Sequence, residues 1–346
     1  MTGRERFLRA IRNQALDRPP TDYWAEEPVD GRLVHELGYS DLDAFLDNMG
    51  VDIRTAKSIP PAEVHLGDEV YQDHAFERYT YRYFPYGKMR EHIPGILSEA
   101  KCFDDIKKFR LPDIDDFDFS RFGAICKTIH DKGCAVRYGW GDVWQRPSVV
   151  RGMEQTYMDM YDNPEWTLHL SRVYTDFYKA EYSRAWEESG GRIDMFIVIS
   201  DLGSMIGPLI SLTMFRKFVK PFLKEMTDHI HKLGSHIVFH SCGDMSMFIP
   251  DVIEIGVDIL DPTQPANHNM SPESLARYNG KICFHGGIDV QHLLPTGRPE
   301  EIQVEAKRYF NLLGPSYILS PAHFFQPNIP NENIVAVYKT FSGTQA

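Results

Sequence analysis

His240 and Cys242 stand two residues apart at the end of the run Ser235-His236-Ile237-Val238-Phe239-His240-Ser241-Cys242-Gly243-Asp244. The run reads as a short buried strand opening into a glycine turn, and strand alternation puts the imidazole and the thiol on one side while the chain stays extended. Two soft donors then converge on one point. Zinc needs at least three protein ligands, so the pair taken alone is more simply read as a packed histidine and an inert buried cysteine. A third ligand must come from elsewhere, and the best partner is His323, in Ser320-Pro321-Ala322-His323-Phe324-Phe325-Gln326-Pro327. Two imidazoles and a thiolate would make an open zinc site, with a fourth position left for substrate or water. A carboxylate, Asp244 or Glu26, could close it instead. His285 could also compete, although a histidine ending an apolar strand is more commonly a packing or hydrogen-bonded residue.

Residues so far apart in the chain need a scaffold to gather them. Eight short apolar segments read as strands: 21–24, 51–54, 134–138, 194–199, 235–240, 257–261, 282–285 and 317–320. Most are followed by helical patterns. Two long helices are expected between 148 and 188, parted near Asn163-Pro164. One helix is expected from an N-cap at Ser211 to Gly234, with Phe215, Phe218, Phe222, Met226 and Ile230 on its apolar stripe. A basic helix over 3–13, stopped by Pro19-Pro20, forms an N-terminal extension. Between about 62 and 99 aromatic and polar residues alternate through Phe76–Phe84, with Gly87 as a turn, which predicts a β-hairpin excursion.

Eight strands alternating with helices predict an α/β fold, a single (β/α)8 TIM barrel over residues 1–346. A doubly wound sheet fits less well, because no G-x-G-x-x-G follows the first strand. Every strand of a barrel ends on the same mouth, where active sites lie. Glu26, Trp140, Asp142, Asp201, His240, Cys242, Asp261, Gln264, His285, Asp289 and His323 all fall at or just after strand ends, so closure would turn scattered polar residues into one constellation.

Composition narrows the partners. The chain has 346 residues, 42% hydrophobic and 25% charged, enough for a large core. Its net charge of −12 argues against nucleic acid, which calls for a basic face. No run of about 18 apolar residues is present to span a membrane, and Met1–Arg6 lacks the apolar stretch of a signal peptide. Five scattered cysteines do not suggest a disulfide framework, so a reducing cytoplasm is the expected home. The partner is expected to be a small molecule or another protein, with the oligomeric state open.

At several of these segments the chain resembles the uroporphyrinogen decarboxylase superfamily, which includes decarboxylases and zinc-dependent methylcobalamin methyltransferases. The resemblance runs nearly end to end. It is carried by Arg4-Glu5-Arg6-Phe7 to Asp17-Arg18-Pro19-Pro20, Asp201-Leu202-Gly203-Ser204 with Gly207–Ser211, Phe239–Asp244, His285-Gly286-Gly287-Ile288-Asp289, and Ile318–His323 through Pro330–Ile334. It implies the same barrel. The decarboxylases hold an acidic tetrapyrrole through an arginine-rich segment near the N-terminus, whereas Trp24–Arg32 here is acidic, and carboxylates repel such a substrate. The methyltransferases carry a His-x-Cys pair and a later cysteine as zinc ligands. His240 and Cys242 match the first two, and His323 replaces the third.

The resemblance therefore implies a methyltransferase that moves a methyl group between a small O-, S- or N-methylated compound and a corrinoid, with zinc as Lewis acid. No D-x-H-x-x-G cobalamin motif occurs, so the corrinoid is expected on a separate protein. Asp201, Glu26, Trp140 and His285 are the candidates for orienting or protonating the substrate. The alternatives are a metal-free decarboxylase or related lyase and, in a different class, a non-catalytic carrier of a tetrapyrrole or corrinoid.

Overall fold

The computed structural model describes residues 1–93 and 95–341. Pro94, within the expected excursion, and the last five residues of the 1–346 span lie outside the described residues. The strands in chain order are β1 (Ile53–Thr55), β2 (Val64–Gly67), β3 (Val70–Gln72), β4 (Arg78–Phe84), β5 (Gly87–Ile93), β6 (Ala135–Asp142), β7 (Met195–Ile199), β8 (Gly203–Ser204), β9 (Gly207–Pro208), β10 (His236–His240), β11 (Ile259–Thr263), β12 (Cys283–Ile288) and β13 (Tyr317–Pro321). Seven of them form one parallel sheet in the order β1-β6-β7-β10-β11-β12-β13.

Residues 21–25 fill the eighth place and close the sheet into the expected barrel. Thr21 bridges Leu319 and Ala25 bridges Phe325 on one side, while the Thr21 carbonyl accepts from Asp52 N and Ile53 N at 3.0 and 3.2 Å on the other. The segment makes isolated bridges rather than the strand expected over 21–24, because its donors are diverted. Pro19 and Pro20 have no N–H, Thr21 N donates to Asp52 Oδ2 at 2.9 Å, and Tyr23 N donates to Asp22 Oδ1 at 2.8 Å.

Inward-facing Ile53, Ala135, Met195, Ile197, Val238, Ile259, Cys283 and Ile318 fill the barrel as one buried cluster. The helix Gly3–Ile11 adds Phe7 and Ala10 to that cluster, so the N-terminal extension plugs one end of the barrel. Thr2 and Glu5 start this helix with a reciprocal capping box. Outward-facing strand residues pack with the surrounding helices in a second, larger cluster. No helix among the described residues is long and apolar enough to cross a membrane.

Three expectations are corrected locally. The 148–188 region holds three helices, Gln145–Arg151, Met153–Asp162 and Pro164–Glu188, since Gly152 at φ +95° breaks the first turn of the pattern. The 211–233 helix is split into Leu212–Phe218 and Lys220–Leu233, where Pro221 deprives the ladder of a donor. The hairpin at 62–99 is a four-stranded antiparallel sheet, β2-β3-β4-β5. A turn at Asp68 and Glu69 with φ of 47° and 61° adds the extra pair, and Asp73 accepts from Ala75 N and Glu77 N to make the next turn.

Candidate metal centre

β10 ends at His240, and its register partners are Ile199 on β7 and Asp261 on β11. Asp261 Oδ2 therefore reaches His240 Nδ1 directly, in a hydrogen bond buried beneath the mouth. Its other oxygen takes Nδ1 of His285 on β12, and His285 Nε2 meets Asp22 Oδ2 at 3.0 Å. The ionised Asp261 only accepts, so Nδ1 of His240 carries a proton in either charge state of the ring, and Nε2 is the nitrogen that faces the mouth.

Burial opposes charge on Asp261, His285 and His240, and their mutual attraction wins. Burial lifts the Asp261 carboxyl, but the two imidazoles bring it far below the usual carboxylate range. His285 is pulled down by burial and raised on balance to about 9, chiefly by Asp261. His240 is likewise raised well above the usual imidazole value, against burial, by Asp261 and Cys242.

Beyond β10 the chain turns back at Gly243, whose φ is +80°. A Cβ on Gly243 would lie 2.3 Å from Gly203 C, and one on Gly203 would lie 2.7 Å from Cys242 O. Two glycines thus let the loops after β7 and β10 touch backbone to backbone. Asp201 Oδ1 accepts from Cys242 N at 2.8 Å, and Gln264 Oε1 accepts from Gly243 N at 2.7 Å. These bonds aim the Cys242 thiol at His240 Nε2, 3.5 Å away. Burial pushes the thiol up, with His240 partly offsetting it.

His323 arrives on the loop after β13, its ring 5.9 Å from that of His240 and edge-on to it. Burial, and then the charge on His240, lower its imidazole to about 4, so it is neutral. One donor atom from each of His240, Cys242 and His323 lies within 4.8 Å of the others. Bond lengths of about 2.0–2.3 Å around a tetrahedron put donors roughly 3.5 Å apart. The His240–Cys242 separation meets this, and small side-chain rotations close the rest. The donor set is borderline-soft, the histidine tautomer is held by a carboxylate behind it, and the field that favours a proton on Nε2 also favours a cation there. These residues fit a zinc ion.

Trp24 stacks on His240 at 5.7 Å, Trp140 meets it edge-on at 5.9 Å, and Phe324 stacks on Trp140 at 5.7 Å, giving the centre an aromatic wall. The same three residues line a cavity of about 690 Å³.

The other residues singled out in the sequence divide. Asp201 belongs at the mouth, with Oδ1 3.9 Å from His240 Nε2 and Oδ2 held by Gln145 at 3.0 Å. Asp142 lies under it as a buried cap for Trp144 N, Gln145 N and Arg146 N, its carboxyl raised to about 7 by burial. His285 sits a layer deeper with both nitrogens occupied, so it supports the centre and does not open on the mouth. Glu26 faces a separate cavity with Tyr81, Lys88 and Arg90, and burial raises its carboxyl. Asp244, weighed as a fourth ligand, gives its oxygens to Ser246 N and Asn269 Nδ2. Asp289 binds Gln291 N at 2.7 Å.

Asp22 and Arg137 were not anticipated. Asp22 Oδ2 accepts from Trp24 Nε1 at 2.6 Å and pairs with the Arg137 guanidinium, which also lies 4.6 Å over the Trp24 ring. The period-two spacing of Asp22 and Trp24 was the available signal that the two share the inner face.

The family model for uroporphyrinogen decarboxylase (URO-D) matches residues 89–343. The chain belongs to the uroporphyrinogen decarboxylase family. The chain is also 20% identical to the methylcobamide:CoM methyltransferase MtbA of Methanosarcina acetivorans over 360 residues, covering 96% of this chain and 95% of the relative. The MtbA of Methanosarcina mazei is also 20% identical, over 89% of this chain and 88% of its own. A solved methyltransferase from Methanosarcina mazei superposes with a TM-score of 0.69 at 17% identity, covering 99% and 98% of the two chains. At that identity the likeness establishes the barrel fold of this uroporphyrinogen decarboxylase family member.

Proposed function

We propose that this protein is a methyltransferase that moves a methyl group between a small methylated compound and a corrinoid carried on a separate protein, using zinc held by His240, Cys242 and His323. The observation that carries the reading is the convergence of these three donors at the barrel mouth, with His240 fixed by Asp261. The full-length likeness to two methylcobamide:CoM methyltransferases supports the choice of methyl transfer within the family.

Bound there, zinc supplies Lewis acidity, polarising a heteroatom that leaves or keeping a thiol as thiolate. The chain's own residues do the rest. Asp261 holds the proton of His240 on Nδ1. Asp201 anchors the Cys242 backbone and offers a carboxylate that orients the substrate beside Nε2. Trp24, Trp140 and Phe324 keep bulk water from that side of the centre.

The test is elemental analysis of protein purified without added metal, coupled to methyl transfer to free cob(I)alamin from O-, S- and N-methyl compounds. One zinc per chain is expected, with transfer abolished in His240→Ala and Cys242→Ala. Absence of stoichiometric zinc together with unchanged rates in both variants would end this reading.

A further inference from the structure

Beside the metal centre the mouth holds a second cavity, of about 460 Å³, walled by Tyr138 and Trp140 from β6 and covered by His74 and Phe117. Trp140 is the shared partition, since its ring also meets that of His240. Arg146 and Glu181 line this cavity together, and they do not pair. Among the described residues, the ion pair of Arg146 within 4.0 Å is with Glu77, at 3.5 Å, and Glu181 has none.

Each keeps an uncommitted end. Arg146 Nη1 donates to Tyr178 OH at 3.0 Å, and Nη2 has no acceptor among the described residues. Glu181 Oε1 accepts from Tyr138 OH at 2.7 Å, and Oε2 has no donor among them. Glu181 is only 7% exposed. Burial holds its carboxyl up at about 7, with Tyr138 and Arg146 pulling the other way. Burial and Arg146 also lower His74 to about 4, so that ring adds no charge.

Arg90, paired with Asp73 at 3.1 Å, and Lys57 also line the cavity, and Glu181 is the carboxyl among its lining residues, so the gap between Arg146 and Glu181 is polarised. The two stand on separate helices. Arg146 is fixed in the first turn of its helix by its N–H on Asp142 Oδ2 at 2.9 Å, and Glu181 stands within the 25-residue helix Pro164–Glu188. A ligand suited to the gap carries an anion for the guanidinium and a cation for the carboxylate. The aromatic walls narrow the cation, because a methylated ammonium is held by the faces of Trp and Tyr rings. The planar guanidinium fork takes a carboxylate or a phosphate, and the carboxylate is the smaller of the two.

We propose that this cavity binds a small zwitterion of betaine type, its carboxylate on Arg146 and its methylated ammonium between Glu181 and the rings of Trp140 and Tyr138. Naming that ligand the methyl donor rests on the methyl-transfer reading above; the binding itself does not.

The experiment is calorimetric titration of the full chain, without corrinoid, against three probes: glycine betaine, tetramethylammonium as the cation alone and methoxyacetate as the anion alone. Betaine is expected to bind at least about tenfold more tightly than either half. Glu181→Gln should weaken betaine about tenfold and leave methoxyacetate unchanged, while Arg146→Gln should weaken both carboxylates and leave tetramethylammonium unchanged. The wild-type comparison needs no variant to fold. Either half binding as tightly as betaine, or folded wild-type protein showing no saturable betaine binding, overturns the assignment. Betaine binding without methyl transfer from betaine upholds the cavity and removes betaine as the donor, whereas methyl transfer from another donor without betaine binding overturns the cavity assignment and leaves the methyl-transfer reading standing.

Discussion

His240 and Asp261 are register partners on adjacent parallel strands, and the carboxylate of one holds Nδ1 of the other. From this contact an alternating chain of imidazoles and carboxylates runs through His285 to Asp22 and ends on Arg137. The His240 ring is thus oriented from beneath by buried groups.

Asp261→Asn breaks the charge that fixes the His240 tautomer. Zinc affinity should fall about 10–100-fold, the usual cost of losing a carboxylate behind a ligating histidine. Competition against a chromophoric chelator measures it, and an unchanged affinity would remove Asp261 from the account.

His323→Ala takes away one of three donors and should release the metal on dialysis, while His323→Cys should retain it. Cobalt(II) substitution reports the same set, since the thiolate band should be present in wild-type protein and missing in Cys242→Ser.

Gly243→Ala drives a Cβ to within 2.3 Å of Gly203 C at a φ of +80°. A loss of about 2–3 kcal/mol is expected in denaturant unfolding, with poorer metal retention as the Cys242 loop shifts. Gly38→Ala is the control. There φ is +74° with nothing within 4 Å, so only backbone strain of about 1 kcal/mol is expected.

Asp22→Ala leaves Arg137 and His285 buried without their shared counter-charge. The expected cost is about 3–5 kcal/mol, read from the same unfolding measurement. A change under about 1 kcal/mol would mean the network relaxes around the loss.

Acid should loosen the opposite end of β10. Burial raises the Asp258 carboxyl, but His231, His236 and Ile237 N outweigh it and bring it to about 2. A depressed carboxyl stabilises the fold above its unfolded value near 3.8 and loses that contribution as pH falls through about 2. The stability difference between wild type and Asp258→Ala should therefore be about 2 kcal/mol at pH 6 and shrink between pH 4 and pH 2. A pH-independent difference would contradict it.

The barrel and the three convergent donors were legible in the sequence for one reason. Short apolar runs alternating with helical stripes allow few topologies, and closure brings every strand end to one rim, which is what let His240, Cys242 and His323 be read as neighbours there. Local rules also reached the N-terminal helix and the glycine stop at Gly234. What the tertiary structure alone decided depends on which side chain faces which across non-local register. Glu26 ends the same kind of segment as the donors but turns to another cavity. Asp22 looked like an ordinary strand residue and became the anchor of Trp24, Arg137 and His285. Arg146 and Glu181 are 35 positions apart on different helices, and only packing sets them on one cavity. Periodicity specifies the face a residue occupies along its own element. The identity of the group across the gap is settled by how the elements pack, which is a property of the whole chain.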